Sequence, residues 1–112
     1  MLIVTGTLCV PPADLPRFVA EIGRLSTVTR QRDGNLSYDT AVLDAAAGRL
    51  LVAERWRDEA ALAAHLHADE TTAFVSRWAP RLRGDVRVYD ADNERPLPAA
   101  KSDDGHFLQR TR

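Results

Sequence analysis

Residues 2–10, Leu2-Ile3-Val4-Thr5-Gly6-Thr7-Leu8-Cys9-Val10, are apolar or β-branched at nearly every position and stop at Pro11-Pro12. A run that is apolar on both faces predicts a strand in the interior of a sheet. Gly6 within it predicts a bulge or a close approach of something to the backbone. From Asp14 the period lengthens. Leu15, Phe18, Val19, Ile22, Leu25 and Val28 recur at three- and four-residue steps, which places them on one face of a helix. Asp14 stands where an N-cap belongs, Pro16 fits the first turn, and Gly34 marks the stop. Gly23, in the middle of this helix, predicts a tight contact.

Two alternating segments follow, 36–43 and 49–56, joined by Asp44-Ala45-Ala46-Ala47-Gly48. Short, small-residue connections ending in glycine predict a β-hairpin. Leu36, Tyr38, Thr40 and Val42 share one face of its first strand, and Leu50, Val52, Glu54 and Trp56 share one face of the second. A turn centred on Ala47 would set Tyr38 opposite Trp56 and Thr40 opposite Glu54. Asp58 is placed to cap a second helical region, which bends or breaks near Ala68 and resumes with Phe74, Val75, Trp78 and Leu82. Residues 84–89 read as a final strand.

The order is β-α-β-β-α-β, an α+β ferredoxin-like unit in which helices back one face of a sheet. The helices can cover only one of two partly apolar faces, so the other calls for a second copy of the chain. The domain spans residues 1–90. Residues 91–112 lose all periodicity and read as a tail, disordered or packed on the partner subunit, with Phe107 and Leu108 as its only large apolar pair.

Composition narrows the function. The chain has 112 residues, 45% apolar and 28% charged, with a net charge of −1. Such a balance offers no basic excess for a phosphate backbone, so no nucleic-acid partner is expected. Its apolar runs are too short to cross a bilayer, no signal-peptide pattern opens it, and a cytoplasmic location without membrane attachment is expected. Cys9 is the single cysteine, which excludes intrachain disulfides and zinc–cysteine clusters.

The stretch with most chemistry is Glu54-Arg55-Trp56-Arg57-Asp58 followed by Ala61-Leu62 and His65-Leu66. An acid and an indole two residues apart on a strand project to the same side, and the next helix can fold His65 over them. These pieces, with Gly34-x-x-x-Tyr38 and Phe74, resemble the antibiotic biosynthesis monooxygenase family over roughly residues 1 to 90. The resemblance implies a homodimeric α+β barrel with one pocket per subunit between sheet and helices. It also implies oxidation of a small quinol or polycyclic aromatic by O₂ without metal or flavin. In that chemistry a base takes a proton and the electron-rich anion reduces O₂ directly, with the protein supplying burial and proton transfer.

Carried over residue by residue, His65 or Glu54 would be the proton acceptor. Trp56, Tyr38, Leu62, Phe74 and Val52 would line the substrate. Val52 stands where anthrone-oxidising members carry asparagine, Leu62 where they carry tyrosine, and Glu70 where many quinol-oxidising members carry a second histidine. The haem-degrading branch fits poorly, its distorting tryptophan falling on His65 and its iron-binding histidine on Val75. Each residue also has an ordinary reading: Glu54 as a satisfied structural acid, Trp56 as core, His65 as a helix-face histidine. A non-catalytic binding module for a hydrophobic small molecule and an isomerase of a small carbonyl compound are the alternative functions.

Overall fold

The computed structural model describes residues 1–99. Strand β1 (Leu2–Cys9) leads through a 3₁₀ turn at Pro12–Asp14 into α1 (Leu15–Thr29). The hairpin β2 (Asn35–Asp44) and β3 (Arg49–Trp56) follows, then α2 (Glu59–His67), α3 (Asp69–Trp78) and β4 (Arg83–Asp90). The sheet is antiparallel throughout, ordered β2-β3-β1-β4. This is the ferredoxin-like α+β fold, with helices on one face and β1 in the interior.

Alternation sets what each face carries. Leu2, Val4, Gly6 and Leu8 of β1 pair in register with Trp56, Glu54, Val52 and Leu50 of β3, and all project toward the helices. Gly6 lies in an unbulged ladder and is there for close approach. A Cβ at this position would sit 2.0 Å from the Asp85 carbonyl oxygen of β4. Gly23, by contrast, has nothing among the described residues within 4 Å of its missing side chain, so the expected tight contact is not found there.

The hairpin register differs from expectation by two residues. Tyr38 lies opposite Glu54 and Thr40 opposite Val52. Irregularities between Asn35 and Ser37 and between Val42 and Asp44 take up the difference, leaving Leu36 and Leu43 as extra, exposed residues. A shift of two preserves the face, so Tyr38 still points at the helices.

Helix α1 buries Leu15, Phe18, Ile22 and Leu25, whereas Val19 and Val28 sit at its margin. Asp14 occupies the cap position without capping: its carboxylate accepts from Arg81 Nη1 at 3.3 Å. The helix ends at Thr29, and Gly34, at φ +85°, makes the later turn into β2. Asp58 does cap α2, its Oδ1 accepting the Ala61 N–H at 2.9 Å. Ala68, in extended conformation (φ −67°, ψ 146°), breaks the second helical region into α2 and α3.

Buried apolar residues form two clusters. One gathers Val10, Leu15, Phe18, Ile22, Leu50 and Trp78 between α1, α3 and the sheet. The other gathers Leu2, Val4, Tyr38, Trp56, Ala61 and Leu62 beneath α2. Beyond β4 the chain carries no helix or strand through residue 99, and Arg55 Nη1 holds Glu94 at 2.8 Å. Phe107 and Leu108 lie outside the described residues. No helix among the described residues is long and apolar enough to cross a membrane.

Candidate active site

Three elements bring the titratable groups together at one hollow. Strand β3 supplies Val52 and Glu54, β2 supplies Tyr38, and α2 lays His65 across them. On α2, Ala61, Leu62 and His65 are the buried residues, spaced three and four apart so that one face meets the sheet. Burial of an imidazole there needs support. The ring stacks on the Trp56 indole, centroids 4.8 Å apart and planes 26° apart. The Tyr38 ring meets it edge-on at 5.9 Å, and Nδ1 lies 3.3 Å from Thr71 Oγ1 of α3.

The hollow has a volume of about 160 Å³, and Glu54, His65, Tyr38, Val52 and Phe74 all border it. Leu66, Val75 and Val86 stand at its open side. Trp56 and Leu62 do not border it. Trp56 is wholly buried behind His65, and its Nε1 donates to Glu54 Oε1 at 2.9 Å. The indole therefore orients the acid and backs the imidazole from within the core. Among the described residues no partner meets the second Glu54 oxygen, His65 Nε2 or the Tyr38 hydroxyl. Roomier surface grooves, such as the one of about 470 Å³ beside Cys9, bring no buried acid and base together.

Burial tunes the three groups. It raises the Glu54 pKa above the ordinary carboxylate range, against the lowering effect of the Trp56 hydrogen bond. It lowers the His65 pKa to about 4, with help from the Arg32 charge, so the imidazole is neutral at pH 7. Tyr38 is pushed up by burial and then by the nearby Glu54, so its phenol keeps its proton.

Arg32, Glu70 and Thr71 belong to this neighbourhood and were not singled out as site residues from the sequence. Arg32 Nη2 donates to Glu70 Oε1 at 2.8 Å, while Arg32 Nε is enclosed without a partner among the described residues. Glu70 is thus held by an arginine outside the cavity wall. The one signal for Thr71 was its place just after the helix break that folds α3 back toward α2. His67 is exposed, its Nδ1 at 2.8 Å from the Ala63 carbonyl. Among the described residues no group of three or more His, Cys, Asp or Glu side chains is placed to hold a metal ion.

Fold and site together define a ferredoxin-like α+β domain whose helices enclose a carboxyl, an imidazole and a phenol in one apolar hollow. The chain belongs to the antibiotic biosynthesis monooxygenase family, whose profile matches residues 1–77. A Deinococcus radiodurans protein provisionally named an antibiotic biosynthesis monooxygenase superposes with a TM-score of 0.79 at 22% identity. The alignment covers 87% of this chain and 98% of that one. Another structure named antibiotic biosynthesis monooxygenase gives 0.73 at 29% identity, covering 82% and 99%. A Mycobacterium tuberculosis protein gives 0.71 at 25% identity, covering 84% and 98%. No curated protein sequence matches the chain.

Proposed function

We propose that the protein is a cofactor-independent monooxygenase that oxidises a small quinol with O₂. The observation that carries this is the meeting of Glu54, His65 and Tyr38 around one apolar hollow. Its volume, about 160 Å³, matches a cavity that holds a single benzene-sized ring, which favours a monocyclic quinol over a polycyclic aromatic.

Glu54 is the proton acceptor in this reading, because burial brings its pKa toward the working pH, where a general base acts best. Neutral His65 and the Tyr38 hydroxyl hold the ring oxygens. Deprotonated quinol passes one electron to O₂, giving a semiquinone and superoxide that recombine at a ring carbon as a peroxide anion, to which Glu54 returns its proton to give a hydroperoxide. Loss of that carbon's proton to the base breaks the O–O bond, and the leaving hydroxide departs as water. The sum is quinol plus O₂ to hydroxyquinone plus water. The low polarity of the hollow strengthens each hydrogen bond and keeps bulk water from the anion.

The protein works as a homodimer in this reading. The sheet face away from the helices carries half-buried Ile3 and Thr5 beside exposed Leu51 and Tyr89, and a second copy would cover it. Sedimentation of the purified chain tests that directly.

Oxygen consumption by metal-free protein with hydroquinones tests the reaction. One O₂ per quinol without hydrogen peroxide is expected. Release of peroxide would mark plain oxidase chemistry, and tight binding without oxygen uptake would mark a binding module. Turnover of a carbonyl substrate without oxygen would mark an isomerase.

A further inference from the structure

The open side of the hollow is bordered by exposed apolar side chains. Leu66 of α2 is 54% exposed, Val75 of α3 50%, and Val86 and Val88 of β4 39% and 49%. Leu66, Val75 and Val86 border the hollow itself, and Val88 continues the strip two residues along the same face of β4. Asp85 and Arg87 alternate onto the opposite face of that strand, where they pair with each other at 3.0 Å, and Asp90 ends the strip on the same face two residues beyond Val88. No charge therefore interrupts the strip between Val86 and Val88.

Exposed apolar side chains scattered singly are ordinary, whereas a strip continuous with an apolar hollow marks a surface used for binding. One ring of the size proposed above would fill the hollow, so anything attached to that ring must leave over this rim. From the continuity of hollow and rim we infer that the substrate is an alkyl- or isoprenyl-substituted single-ring quinol, its head in the hollow and its chain along Leu66, Val75, Val86 and Val88. This rests on the hollow being the ring site proposed above. The strip from Val86 to Val88 runs about 7 Å, room for a chain of roughly five carbons. A ring with one such chain keeps a free C–H, which the oxygen insertion requires.

The test is a series of monoalkyl hydroquinones from hydrogen to octyl, followed by oxygen uptake. The Michaelis constant is expected to fall about twofold per carbon over the first five or so, then level. Full burial would give about fourfold, and an open groove covers the chain on one side only. Val88→Thr, isosteric and exposed, is expected to flatten the later part of that series. The slope is read within each protein, so any change on the parent hydroquinone cancels.

If hydroquinone is oxidised but the constants do not depend on chain length, the substrate assignment is overturned and the reaction stands. If no hydroquinone is oxidised, the reaction fails, and the same slope is sought in dissociation constants measured by calorimetry. A flat series there overturns the assignment independently. A flat series together with dissociation of an oligomer in Val88→Asp would give the rim to a second copy, which also overturns it.

Discussion

Two tryptophans of this protein make the same hydrogen bond with opposite consequences. Trp56 Nε1 donates to Glu54 Oε1 at 2.9 Å, and Trp78 Nε1 donates to Glu21 Oε1 at 2.9 Å. Both indoles are wholly buried. Glu21, however, reaches the surface of α1 and also takes Arg77 Nη1 at 3.1 Å, so its pKa is lowered, first by the indole bond. No arginine or lysine bridges Glu54 among the described residues, and burial outweighs the indole, so its pKa is raised. One bond geometry thus serves as an anchor where a cation and water are at hand, and as a way of aiming a base where they are not.

The largest break in this symmetry is expected from Glu54→Gln. It should lower kcat/KM by about 10² to 10⁴ while keeping the Trp56 hydrogen bond through the amide oxygen. Glu21→Gln should leave turnover unchanged in the same assay. Stability should move the other way. A carboxylate whose folded pKa is raised contributes stability below its unfolded pKa and loses it as pH rises through the folded one. Glu54→Gln should therefore resist urea better than the parent at pH 8, with the gain vanishing in acid. A gain in activity or a loss of stability at pH 8 would contradict the assignment.

Phe18→Ala comes next. Phe18 is fully buried in the Trp78 cluster, edge-on to Trp78 at 4.9 Å, and its loss should cost about 3–5 kcal/mol in urea unfolding. The folded fraction should keep its kcat, because the side chain does not border the hollow.

His65 gives the third contrast. Its folded pKa of about 4 lies below the ordinary 6.5, so its contribution to stability is present above pH 6.5 and disappears as pH falls toward 4. On the order of 3 kcal/mol should be lost over that window, and His65→Gln should remove most of the dependence. The smallest expected effect is that of Trp56→Phe. Losing the indole donor removes what holds the Glu54 pKa down, so the acid limb of kcat/KM should shift to higher pH.

Much of this was legible along the chain. Residues 49–56 alternate cleanly, and that alternation alone put Glu54 and Trp56 on the helix side of β3, where they are found. The break near Ala68 and the Asp58 cap followed equally from local chemistry. What was not legible depended on long-range closure. The hairpin register was missed by two because extra residues at Leu36 and Leu43 are absorbed as irregularities that no turn signal announces. Trp56 was open to two readings, core or substrate wall, and it lies in the core behind His65, since the depth of an indole depends on how closely α2 docks. Thr71 and the Arg32–Glu70 pair join residues whose proximity arises only when α3 folds back.

The extended residue at Ala68 has a further consequence. It separates the roof of the hollow into two beams that meet where Thr71 of α3 braces the His65 imidazole of α2. Helix α2 is pinned at Asp58 and by the stacked imidazole, whereas α3 presents Phe74 and Val75 from its own footing. Exchanges at Phe74 and Val75, a turn beyond Thr71, can therefore resize the chamber while the proton-handling groups stay where they are, which lets one scaffold be refitted for new guests without rebuilding its chemistry.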